Sequence, residues 1–168
     1  MLDMKTQGDA ILKKFVQKKL LLYIVPNVIF NTVIPYLTLR NLGPVYLFQG
    51  EYCFARFLLP MALFLPFIIT FDMLRKTIIL SEEGKAGFVL PDDFSKNKFM
   101  FKMAGQNGFA SLVVLLLMML CVHLNVPEGY GFDAASLSLI LGAVAGTLTV
   151  ISTLWPIKKV RELSAVHQ

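Results

Sequence analysis

Asn27 and Asn31 are the residues of this chain best placed to do polar chemistry in apolar surroundings. They stand four apart, so a helix puts both carboxamides on one face, one turn above the other. Each offers two N–H donors and a carbonyl acceptor. Pro26 and Pro35 lie beside them. A proline inside a helix removes one amide donor and frees the carbonyl four residues earlier, which adds Leu22 and Asn31 as backbone acceptors. A carboxamide in hydrocarbon is costly without a partner, so this face must turn toward protein or a water-filled route. Two chemistries follow: lining a pathway for a polar ligand or ion, or joining helices through hydrogen bonds. Thr149, in a distant apolar run, supplies a hydroxyl that can line the same pathway.

The charges with informative spacing are few. Asp72 has Arg75 and Lys76 within one helical turn, the geometry of a local ion pair at the end of an apolar run. Arg40 and Arg56 flank the opposite ends of two runs, where guanidinium groups reach an anionic headgroup or substrate. Ser138, Gly142 and Gly146 follow a small-xxx-small rhythm, and the last two form a GxxxG. Residues of that size let a second helix approach closely.

Other combinations point nowhere specific. Cys121, His123 and Asn125 cluster, but the only other histidine is His167 near the far end of the chain. A zinc site takes three or four ligands, so no metal site is expected. Cys53 and Cys121 are too few for a disulfide framework. No H-E-x-x-H, phosphate-binding glycine loop or G-x-S-x-G elbow is present. No pair of carboxylates lies inside an apolar run. Neither a catalytic residue nor a cofactor is expected.

The elements that hold these residues follow from composition. Apolar residues make up 56% of the 168, charged residues 16%, and the mean hydropathy is +0.65. Soluble domains carry about 25% charged residues. The charges are also bunched, leaving four apolar runs at residues 20–39, 54–71, 108–126 and 134–157. Crossing ~30 Å of hydrocarbon takes ~20 residues of helix. Backbone polar groups in lipid must be satisfied within the segment, which makes each run a helix. The expected fold is an all-α integral membrane protein of four transmembrane helices, arranged as two antiparallel hairpins. The whole chain forms one membrane domain.

Residues 1–19 precede the first span. From Asp9 to Lys19 they read as a short basic amphipathic helix in the interface, with Asp9 as its cap, Ile11, Leu12, Phe15 and Val16 on one face and lysines on the other. Residues 72–107 form the central loop, in which Asp92 or Asp93 can cap a helix leading into the third span. Residues 158–168 form a tail. Fourteen of the sixteen Lys and Arg residues fall in these three segments, and the other two, Arg40 and Arg56, lie just after the first span and at the start of the second. That asymmetry puts both termini and the central loop in the cytoplasm, as expected for a bacterial inner membrane, with lysines facing anionic headgroups. The same clustering argues against nucleic acid as a partner. Lys14-Phe15-x-x-Lys18 and Lys98-Phe99-x-x-Lys102 hint at a parallel duplication of the two halves.

Two functions fit this reading. One is a permease- or channel-like unit working as a homo-oligomer, with its pathway at Asn27, Asn31 and Thr149. The other is a non-catalytic accessory subunit that joins a larger membrane complex through Gly142 and Gly146.

Overall fold

The computed structural model describes residues 2–90, 95–127 and 129–166. They form four helices: α1 (Leu2–Leu39), α2 (Phe54–Glu82), α3 (Lys96–Asn125) and α4 (Ala134–Val166). Each is long and apolar enough to cross a membrane, as in a multi-pass membrane protein. At 1.5 Å per residue, even the 29 residues of α2 reach about 44 Å, well beyond the hydrocarbon. All four helices therefore project past the spans expected from hydropathy, which ends where charge begins rather than where the helix does.

The N-terminal segment is not a separate interfacial helix. It is the first part of one 38-residue helix. Between Gln17 and Leu22 there is no glycine or proline, so nothing stops helix propagation. Its apolar face meets protein: Leu12 is buried with Ala86 and Phe88, and Phe15 and Val16 pack alongside. Asp9 does not cap this helix. It lies well inside α1 and pairs with Arg161 at 2.8 Å. Asp92 and Asp93 fall outside the described residues, and α3 begins after Ser95.

The helices of each expected hairpin are not packing partners. α1 packs on α4, α3 packs on α2, and α2 and α4 meet in the centre, while α1 scarcely touches α2 and α3 scarcely touches α4. The expected hairpins are thus opened, each half laying its first helix on the second helix of the other half. Exchange of the two halves leaves this pattern unchanged, as a two-fold axis between α2 and α4 would. The reason lies in the small faces. A Cβ on Gly142 would overlap the Thr32 hydroxyl, and one on Gly146 would stand 3.1 Å from Val28 Cγ2. On the other side, a Cβ on Gly108 would stand 2.6 Å from the Leu63 carbonyl oxygen. Glycines allow backbones this close where larger residues do not.

One end of the bundle carries the α1–α2 and α3–α4 connections, tied by a bridge in which Val45 and Phe132 exchange backbone bonds of 3.0 and 2.8 Å. Asp133 caps α4 there, its Oδ2 accepting from Ser136 N at 2.9 Å. The other end, the terminal end, gathers both termini and the connection after α2. There Gly8 sits against the backbone of Ala86 and Gly87, and the Ser81 hydroxyl donates to the Phe88 carbonyl at 2.9 Å. Each end has its own apolar core. Leu39, Leu58, Leu115 and Leu141 anchor the bridge end, and Met73, Leu74, Met103 and Val160 the terminal end.

Candidate functional site

Between the two apolar cores lies a layer of polar side chains. Asn107 of α3 is buried and donates through Nδ2 to Thr70 Oγ1 of α2 at 2.6 Å and to Ser152 Oγ of α4 at 3.1 Å. One carboxamide thereby ties three helices. On the far side of α4, Asn27 Nδ2 donates to Thr149 Oγ1 at 3.4 Å, a long bond. Asn31 Nδ2 donates to the Asn27 carbonyl at 2.8 Å. The Thr149 hydroxyl donates back to the Ala145 carbonyl at 2.7 Å, and Ser138 does the same with Ala134. These back-bonds satisfy hydroxyls that would otherwise be costly in an apolar bundle. Among the described residues, the buried Thr77 hydroxyl on α2 has no hydrogen-bond partner.

Asn27 and Asn31 are only partly buried, because α1 stands off from α2. The gap is a groove of about 660 Å³. Its apolar wall includes Phe57, Pro60, Phe64, Leu65 and Ile68. Its polar residues fall at intervals along its length: Arg56 at the bridge end, Asn31 and Asn27 in the middle, then Tyr23 and Asp72 toward the terminal end. Arg56 and Asp72 are 16 residues apart on one helix, about 24 Å of rise. That is most of a hydrocarbon thickness. Among the described residues, each asparagine spends one Nδ2 hydrogen on the bonds above, which leaves a second N–H to donate and Oδ1 to accept.

The terminal-end mouth is a hydrogen-bonded cluster. The Tyr23 hydroxyl and Lys76 both donate to Asp72 Oδ2, and Lys76 also lies 3.4 Å from the Tyr23 oxygen. Lys19 is within electrostatic reach of Asp72 and Lys76. The ion pair expected at Asp72 is thus made by Lys76, four residues on, whereas Arg75 is exposed. At the opposite mouth, Arg56 donates to the Glu51 backbone carbonyl at 2.6 Å and lies over the Tyr52 ring at 5.8 Å. Arg40 is exposed just after α1.

The corresponding gap between α3 and α4 has a different character. It measures about 480 Å³ and is lined by apolar residues such as Val114, Met118 and Val144, with Ser111 and Thr147 its hydroxyls. The same packing in the other half therefore makes a groove without carboxamide or charge. A third cavity, about 590 Å³, lies among the bridge-end loops, where His123 meets the Phe48 ring edge-on at 5.3 Å. Cys53 and Cys121 are free thiols.

The structure brings Asn27, Asn31, Arg56 and Asp72 to one groove, with Thr149 behind Asn27. It sets Gly142, Gly146 and Ser138 inside the bundle, the two glycines against α1. Two contributors escape the sequence reading. Asn107 lies at the edge of the central loop by hydropathy, yet Met100, Met103, Ala104 and Asn107 follow the i, i+3, i+4, i+7 rhythm of one helical face. Tyr23 reads as an interfacial aromatic, and its partner Asp72 is 49 residues away. In comparisons with known proteins, no family model, no curated protein and no solved structure matches the chain, so its chemistry is read from the groove itself.

Proposed function

We propose that this protein is a permease-like membrane transport unit whose route is the groove between α1 and α2. The observation that carries this reading is the contrast between the two grooves. Equivalent gaps flank the central pair, and only one has carboxamides at mid-depth with charged groups toward each mouth. Polar and ionisable residues that face a cavity at membrane depth are the usual markers of a substrate path. The homo-oligomer expected for an enclosed pore is not required by a groove formed within one chain. The accessory-subunit reading loses its proposed contact, because α1 already covers Gly142 and Gly146.

The test is water access to the middle of the groove. In a chain with Cys53 and Cys121 replaced, Asn31→Cys is expected to react with a charged, membrane-impermeant thiol reagent, since thiolates form only where water reaches. Phe30→Cys, at the same depth on an exposed apolar face, is expected to stay unlabelled. Equal silence at both positions would refute a polar route.

The proposed orientation places the terminal end in the cytoplasm of a bacterial cell, by the distribution of Lys and Arg. Gly84 and Gly129 are poor reporter positions, since φ of +69° and +77° strains any other residue there. Lys85→Cys and Tyr130→Cys serve instead. The first is expected to label only after cytoplasmic access and the second from outside in intact cells. The reverse pattern would invert the topology.

A further inference from the structure

Resting on that transport reading, we infer that the molecule moving along the α1–α2 groove is a membrane phospholipid. Its phosphate headgroup passes between the polar residues while its acyl chains stay in the surrounding bilayer.

The shape is the first reason. α1 and α2 scarcely touch along the groove, so its long side faces whatever surrounds the bundle, which for apolar spanning helices is hydrocarbon. A hydrophilic solute in such a channel would have one wall of lipid and lose its hydration against it. A lipid headgroup does not need that wall, because its own tails belong there. The volume agrees. About 660 Å³ holds a body of drug-like size, for which ~300–1,000 Å³ is usual, enough for a headgroup and glycerol but not for two acyl chains as well.

The charge pattern is the second reason. Each mouth offers a cation to a phosphate. Arg56 lines the groove at the bridge end, and at the terminal end Lys76 and Lys19 stand behind the lining, beside Asp72. Asp72 opposes an anion, but Lys76 and the Tyr23 hydroxyl already engage it, and the two lysines outnumber it. Between the mouths, Asn31 and Asn27 are about 6 Å apart along the helix. The second Nδ2 hydrogen of each gives the phosphate an amide donor in the stretch where water is scarcest. No covalent bond forms or breaks, and movement runs down the gradient between leaflets without an energy source. The α3–α4 groove, open to lipid in the same way but lacking these groups, is an internal control.

Purified protein reconstituted into phosphatidylcholine–phosphatidylglycerol vesicles, with a trace of phospholipid carrying an NBD fluorophore on its acyl chain, decides the matter. Dithionite bleaches the outer leaflet, and lipid that crosses is bleached in turn. With this protein, bleaching is expected to run beyond the outer-leaflet share seen without it. Ile68→Trp narrows the groove from an exposed position and leaves the cores untouched. It is expected to slow exchange by about tenfold, and Asn27→Leu with Asn31→Leu by a similar factor, as for one or two hydrogen bonds lost at the barrier. Val114→Trp in the other groove should leave exchange unchanged. Bleaching no greater than in protein-free vesicles, or equal slowing by Val114→Trp, overturns the lipid assignment. Parallel vesicles containing a trapped water-soluble NBD sugar separate the readings. If the trapped dye bleaches, or Asn31→Cys labels while lipid stays put, the transport reading stands and its substrate is hydrophilic. If Asn31→Cys also stays unlabelled, both readings fail.

Discussion

Gly142→Ile is expected to unseat α1 from α4 and lower the melting temperature of the detergent- or nanodisc-embedded protein more than other changes on this face. The position has no room for a Cβ, which would overlap the Thr32 hydroxyl and come within 3.4 Å of the Val28 carbonyl oxygen. Overpacking in a filled core costs about 1–3 kcal/mol, occasionally more. Here an added side chain meets backbone as well as side chain, so the upper part of that range applies. Gly142→Ala makes a finer test. Its clash is chiefly with the Thr32 hydroxyl, and Thr32→Ala removes that atom. The pair of substitutions together is therefore expected to cost less than the sum of the two alone. Isoleucine is not rescued in this way, since the Val28 carbonyl cannot be trimmed. Gly105, within α3 but with nothing near its missing Cβ, is the control. Gly105→Ala should be neutral or slightly stabilising, because alanine is the better helix former. A Gly142→Ile protein that melts like the wild type would mean that α1 and α4 are not in contact.

The second large effect is expected at Asn107. Its side chain is 8% exposed and holds α2 and α4 through two hydroxyls. Asn107→Leu keeps the volume but removes both donors. Because Thr70 and Ser152 can turn to carbonyls of their own helices, the loss is held to about 1–2 kcal/mol, the upper range for interhelical bonds in membranes. Asn107→Asp replaces two donors by an acceptor carrying charge. The hydroxyls can rotate to meet it, but a carboxylate without a cation in the bundle interior costs about 3–5 kcal/mol. The expected order of thermal stability at neutral pH is wild type, then Leu, then Asp. If leucine were the worse replacement, Asn107 would be filling space and the polar layer would not be holding the helices. Both variants leave the α1–α2 groove lining unchanged, so a loss of transport without a loss of stability would also count against this role.

The charge-free runs and the bunched lysines point to a membrane bundle without any coordinates, because hydrocarbon excludes charge and leaves a periodic trace in the chain. Gly142 and Gly146 are likewise legible as a close-approach surface, since small residues at a spacing of four share one helix face. The identity of the helix they meet is not legible. Sequence proximity favoured short hairpins, yet the close approach of Gly142 to Thr32 and of Gly108 to Leu63 draws each first helix to the opposite half. Helix ends were hidden for another reason. Hydropathy marks the membrane boundary, whereas helix propagation stops only at a breaker or a cap, and all four helices run past that boundary over charged residues.

For the candidate site, residue types alone singled out Asn27, Asn31, Arg56 and Asp72 as groups that apolar packing does not explain. That holds because each polar group in hydrocarbon must find a partner wherever the helices go. Only the tertiary structure decided that these four border one groove, that Lys76 and Tyr23 engage Asp72, and that Asn107 supports the bundle instead of the loop. Those outcomes depend on rotation and pairing of helices, which are set by contacts between residues far apart in the chain. Four apolar helices can be paired in several ways with the same hydropathy, and close packing of small faces selects among them.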